Sequence, residues 1–453
     1  MADRQRPHGA TSERRAPLRS LLKLPGPKSG RSPRSSFTAA VIALLTVALA
    51  RPALAADQPA EGRWVAAWHG SPTPGGTFNS QDCPSDVGLS GQTVRNIVRL
   101  SAGGTAVRVR ISNAGGAEPL KVGAASVALS AGGATTTAGT SQPLRFAGQP
   151  TIVIAAGGEA VSDPVALKVQ PLQTLAVSVY LPAKTGPATQ HYFASQDNFL
   201  AAGNQTGAGA DKQFTRKISC WMFASGVDVK ATPNVAGTLI ALGDSITDGY
   251  LSTKNNNQRY PDFLAQRLAS RKGTTLSVVN AGIIGNELLT VRPQLQFGYP
   301  VPARLARDVL TQPGARAVIL LAGINDIGDR SAKATDLIPV VQQIIQAARA
   351  AGLKIYGGTL VPFAGSTGTY KGDYGTAKGE QERQKLNTWI RTSGAFDGVI
   401  DFDKALRDPS DPSRLLPAYD ADKLHPNDAG YQAMANAVNL DAILGDIAKG
   451  ATP

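Results

Sequence analysis

Cysteine and histidine are scarce in this 453-residue chain, which holds two Cys and four His. No two of these residues stand at ligand spacing, so a Cys/His metal centre is not expected, and nothing calls for another cofactor. Aromatic residues are few, at 6 %, while Gly, Ala and Val are plentiful, a balance that suits a compact α/β enzyme or a β-sandwich rather than a disordered chain. No apolar run reaches the roughly 18–20 residues of a membrane span. The longest is FTAAVIALLTVALA, Phe37 to Ala50.

That run follows a basic stretch and precedes Ala53-Leu54-Ala55. Basic region, short apolar region and small-x-small end describe a secretory leader over residues 1–55. The mature protein is then expected to be secreted or periplasmic, with no stable membrane insertion after cleavage. An uncleaved anchoring helix is the other reading. Of the formal +13 charge, +8 sits in these 55 residues, leaving +5 for the rest. The remaining Lys and Arg are scattered, without a cluster or interleaved aromatics, so nucleic acid is not an expected partner. A cysteine pair in an exported protein usually bonds. Cys83 and Cys220 would close a loop of about 137 residues, worth on the order of 4–5 kcal/mol in the chain-entropy model. Two free buried thiols are the alternative. Oligomeric state is not legible.

The texture divides in two. From about Arg63 to Val229, short runs alternate apolar and polar residues between Gly-rich breaks: 96–102, 106–114, 122–130, 151–157 and 174–183. Alternation marks half-buried strands, and several in succession predict an all-β sandwich or jelly roll over 61–232. In Val107-Arg108-Val109-Arg110-Ile111 the apolar residues would face the core and the arginines water. Beyond Pro233 the strands become continuous apolar runs: 238–242, 276–281, 317–323, 354–361 and 398–402. Such runs suit strands buried on both faces. Helical patterns at 259–270, 334–352, 379–394 and 431–444 separate or follow them. The expectation is an α/β domain over 236–450 with a doubly wound (flavodoxin-like), parallel, five-stranded sheet.

Four segments lie just beyond the carboxyl ends of these strands, where open α/β sheets hold ligands. Gly243-Asp244-Ser245-Ile246-Thr247-Asp248-Gly249 puts a hydroxyl on a tight strand-to-helix turn, so nucleophile and oxyanion-binding N–H can come from one residue. Ser245 could equally cap the next helix. Asn280 to Asn286 includes glycines that let a backbone N–H approach a substrate oxygen, or that merely turn the chain. Asn325, in Gly323-Ile324-Asn325-Asp326, carries an amide able to meet an oxyanion or to cap a helix. In Asp422-Lys423-Leu424-His425-Pro426, an acid three residues ahead on a helical-type turn can orient an imidazole base; a plain surface turn reads the same way. His69 and His191 read as structural or substrate-side residues.

The order Ser, Gly, Asn, Asp-x-x-His, each behind a successive strand, resembles the SGNH (GDSL) hydrolases over residues 237 to about 447. The preceding β segment is similar to the accessory domain of that family's secreted two-domain branch. The resemblance implies Ser245 as nucleophile, His425 as base and Asp422 as its partner. It also implies an oxyanion hole of the Ser245 and Gly285 N–H groups and the Asn325 side chain. Ile246 stands where many members carry Leu, a volume-conserving change. The implied activity is carboxylic-ester hydrolysis without metal or cofactor, on small acyl esters or acetylated polysaccharide. A lipase, lysophospholipase or arylesterase remains open, as does a surface glycan-binding protein with a silent hydrolase domain.

Overall fold

The continuous apolar runs become five strands: Val235–Gly243, Thr275–Gly282, Ala315–Leu321, Lys354–Gly358 and Gly398–Ile400. All pair in parallel, in the spatial order second, first, third, fourth, fifth. This is the doubly wound arrangement expected from the sequence, and its order reverses beside the first strand. Leu239, Ile240, Ala241 and Leu242 on that strand are all fully buried, so both its faces are covered. Helix Tyr260–Ala269 packs on the second strand and helix Ala334–Ala350 on the fourth. The computed structural model describes residues 63–76 and 82–449, all within one compact unit. The leader expected over 1–55 lies outside the described residues.

The helical pattern at 431–444 folds as two helices, Asp428–Ala437 and Leu440–Lys449. Val438 between them is extended, at φ −77° and ψ 118°. The Asn439 side chain accepts the Ala442 N–H at 3.1 Å and starts the second helix. Asparagine competes for backbone donors in this way, and so favours a cap over a helix interior.

Four of the five alternating runs lie in two antiparallel sheets, and the run at 151–157 instead pairs Ile152–Ile154 with Leu120–Val122 in a separate two-stranded sheet. One of the two larger sheets orders Trp64–His69, Ala224–Ala231, Gly104–Ser112 and Glu159–Val161. The other places Gln92–Arg99 and Thr174–Leu181 at its centre. Val107, Val109 and Ile111 of the first sheet share one apolar cluster with Val94, Val98, Val177 and Val179 of the second, as in a sandwich. The alternation is right for these valines and wrong for one arginine. Arg110 is 8 % exposed and lies 3.7 Å from Asp228, which also pairs with Arg108 at 2.8 Å. The reason is that this sheet's outer face is not all solvent. Its edge strand Trp64–His69 lies against the parallel sheet. Ala66 donates its N–H to the Pro313 carbonyl at 2.9 Å and accepts from Ser277 Oγ at 2.7 Å. Ala66 also joins the apolar cluster of the α/β region. Cys83 and Cys220 are disulfide-bonded, with Cα atoms 5.7 Å apart.

Candidate active site

The first strand ends at Gly243, and a one-turn helix Ser245–Asp248 follows at once. Asp244, not Ser245, is its N-cap and accepts the Ile246 N–H at 3.0 Å. The Ser245 hydroxyl is therefore not spent on capping. It lies 2.9 Å from Nε2 of His425, and both side chains are buried. Gly243 is forced by space: a Cβ there would sit 2.3 Å from the Leu321 carbonyl oxygen.

His425 reaches the turn from the segment before helix Asp428–Ala437. Its Nδ1 is 3.0 Å from Asp422 Oδ2 and 3.2 Å from Oδ1. The expected helical-type turn is absent, because Lys423 sits in the left-handed region at φ 72°. That conformation lets Asp422 Oδ1 accept the backbone N–H groups of Leu424 and His425, at 3.1 and 2.8 Å. Burial opposes the Asp422 charge. The His425 ring, the Tyr370 hydroxyl and the His425 N–H outweigh it and hold the carboxyl down at about 2. An ionised Asp422 requires the proton on Nδ1, which leaves Nε2 of a neutral ring as acceptor for the Ser245 O–H.

The other two segments converge on the same rim. Gly285 has φ +69°, and a Cβ there would meet the Phe297 ring at 2.8 Å. Gly282 is equally confined, because a Cβ would lie 2.3 Å from the Asp248 nitrogen. Glycine thus lets this loop lie directly on the Ser245 turn. Asn280 joins the two by donating to the Thr247 carbonyl at 2.8 Å. Buried Arg304 donates to the Gly243 and Ala281 carbonyls, both at 2.8 Å, and to Asn286 Oδ1 at 3.0 Å. Asn325 follows the left-handed cap Gly323 on helix Ile324–Arg330, so it does not cap that helix. Its Nδ2 donates to the Asn286 carbonyl at 2.9 Å, and its Oδ1 accepts from the Tyr374 hydroxyl at 2.6 Å. A carbonyl on one side and a hydroxyl on the other fix which way the amide faces. Nδ2 carries a second hydrogen for a ligand.

Several residues at the site lie outside the motifs read from the sequence. Tyr370 donates to Asp422 Oδ2 at 2.6 Å and lies 3.3 Å from His425 Nδ1. Burial, then the Asp422 carboxylate, keep its hydroxyl well above the ordinary phenol range, so it remains a donor. The Tyr250 ring packs edge-on to His425, with centroids 4.8 Å apart, and Phe193 of the β region packs on Tyr250 at 5.2 Å. The one available hint was compositional: Tyr370 and Tyr374 stand four apart in a Gly-rich loop of an aromatic-poor chain. His69 and His191 are both buried and bond groups other than Ser245, the Ser225 carbonyl and Asp248 respectively. Among the described residues, no group of three or more His, Cys, Asp or Glu is placed to hold a metal ion. No helix among them is long and apolar enough to cross a membrane.

Residues 241–433 match the GDSL-like lipase/acylhydrolase family. Solved structures similar to the chain include a GDSL-like lipase from Bacteroides thetaiotaomicron, 20 % identical, with a TM-score of 0.35. That match covers 47 % of this chain and 89 % of the lipase. Another is the native aryl esterase of M. smegmatis, 16 % identical, with a TM-score of 0.34, covering 45 % of this chain and 96 % of the esterase. No curated protein matches the chain. The match to the GDSL-like lipase/acylhydrolase family thus spans residues 241–433 and leaves the preceding β region outside it.

Proposed function

We propose that the protein is a secreted serine esterase that transfers an acyl group from an ester to Ser245 and then to water. The observation that carries this reading is the chain of hydrogen bonds from Ser245 Oγ to His425 to Asp422. Ser245 Oγ attacks the ester carbonyl carbon as its proton passes to His425 Nε2. The carbonyl oxygen, now negative, is received by the N–H groups of Ser245 and Gly285 and by Asn325 Nδ2. The carbon–oxygen bond to the alcohol breaks, and His425 returns the proton to the leaving alkoxide. Water then attacks the acyl-serine carbonyl, giving its proton to His425; the bond to Ser245 Oγ breaks, His425 returns the proton to that oxygen, and the free acid leaves. Asp422 holds the imidazole in the required tautomer and stabilises it while charged.

The substrate reading is deacetylation of polysaccharide or of small acyl esters, supported by the leader pattern and the preceding β-sandwich. Purified wild-type protein should hydrolyse p-nitrophenyl acetate and release acetate from acetylated xylan, and Ser245→Ala should leave almost no turnover. Substantial residual hydrolysis in that variant would remove Ser245 from the mechanism. Release of fatty acid from lysophospholipid in preference to acetate from xylan would move the substrate to the lipase side. Inactivity on every ester would favour a silent hydrolase domain in a glycan-binding protein.

A further inference from the structure

The β region also reaches the loop that carries Gly285, through His191. This histidine lies on the two-residue strand Gln190–His191, paired with Trp221–Met222 directly after disulfide-bonded Cys220. Its ring is buried against Trp221, with centroids 5.4 Å apart. Nδ1 is 3.0 Å from the Ser71 carbonyl oxygen, and Nε2 is 2.9 Å from Asp248 Oδ1. A carbonyl and an ionised carboxylate can only accept, so beside an ionised Asp248 both ring nitrogens carry hydrogen and the ring is an imidazolium. Asp248 ends the one-turn helix that starts at Ser245. Its other oxygen, Oδ2, accepts the Ile284 N–H at 2.9 Å, and Ile284 immediately precedes Gly285.

We infer that His191 is a positioning residue for ester hydrolysis: through Asp248 it holds the Ile284–Gly285 backbone against the Ser245 turn. The inference rests on the proposed function, in which the Gly285 N–H receives the oxyanion. Every group facing the ring agrees with this role except one. Burial works against the charge; Asp248, by attraction and by hydrogen bond, and the Ser71 carbonyl outweigh it, while Arg259 opposes. Arg259 is itself engaged elsewhere, donating to the Asp248 backbone carbonyl at 2.9 Å and to the Ala194 carbonyl. Loss of the imidazolium leaves the Asp248 carboxylate buried without its partner, and the Ile284 N–H then leans on a group that must shift or take up a proton. An oxyanion donor acts in the transition state, so its misplacement appears in turnover and not in substrate affinity.

The test compares full-length wild type with His191→Gln, which keeps a side-chain donor but no charge. Turnover of p-nitrophenyl acetate should fall roughly tenfold or more with KM within about twofold, the scale expected of a small displacement at a reacting centre. Hydrogen exchange in the 282–286 segment should speed up while the parallel strands keep their protection. Unchanged kcat, or unchanged exchange in that segment, overturns the inference. A measurement on the wild type covers failure of the variant to fold. With four histidines in the chain, ring-nitrogen NMR should find the His191 ring doubly protonated at pH 7, and a neutral ring overturns the inference. The exchange and NMR results stand even if wild type hydrolyses no ester, an outcome that would fall on the proposed function alone.

Discussion

Asn325 shows how a single side chain couples the site to the core. One amide hydrogen and the amide oxygen are fixed by Asn286 and Tyr374, which aims the remaining hydrogen. Asn325→Ala should lower kcat by roughly 10²–10³. The unpaired Asn286 carbonyl and Tyr374 hydroxyl should also cost about 1–3 kcal/mol of stability. Steady-state kinetics with a urea titration of the same variant separates the two effects, and near-normal turnover would assign the oxyanion to another donor. Asp244 beside Ser245 offers a pH test. Burial pushes its carboxyl up to about 7, helped by the Asp326 charge and opposed by the Ile246 N–H and Arg304. Its folded value lies above its unfolded one, so the folded state holds the proton more tightly. Its contribution is complete below about pH 4 and is lost as pH rises towards 7. Asp244→Asn should therefore flatten the fall in Tm between pH 4 and 8, and an unaltered slope would contradict the assignment. Ser245, His425 and Asp422 were legible in the sequence because each lies in a short pattern whose residue types suggest its chemistry. Tyr370 and His191 were not, because their partners lie 52 and 57 positions away and neither residue type announces such a contact.

At the scale of elements, hydrophobic period was a sound guide wherever one environment covered a whole element. Four of the five parallel strands are largely buried on both faces and read as unbroken apolar runs, while the edge strand Gly398–Ile400 leaves Val399 exposed. The pattern failed where packing changes within an element. Arg110 alternates correctly but faces Asp228, because a neighbouring layer covers part of its sheet. The 431–444 pattern keeps a helical period across a break that only the Asn439 cap marks. Asn439→Ala should cost about 1 kcal/mol, as loss of an N-cap usually does. It should fray helix Leu440–Lys449 without altering turnover, since that helix carries no site residue. Thermal melts and amide exchange in that helix would check this, and unchanged protection would show that packing alone sets the boundary.

For the whole molecule, the sequence suggested a β region and an α/β region, and it said little about how closely they engage. Ala66 sits in the α/β core, Ser277 bonds its carbonyl, and His191 meets Asp248. Side-chain contacts of this kind have no periodicity to reveal them. The disulfide spans 137 positions within the β region. Its reduction should lower unfolding stability by on the order of 4 kcal/mol. Denaturant titration with and without dithiothreitol measures that loss, and coincident curves would show the covalent link to be thermodynamically idle. All these readings depend on one alcohol being activated by one imidazole at the edge of the parallel sheet. The most direct measurement is labelling with a serine-reactive fluorophosphonate, followed by mass spectrometry of the digested protein. The adduct should form on Ser245 alone and should be lost in His425→Ala. No adduct, or an adduct on a different serine, would contradict the account.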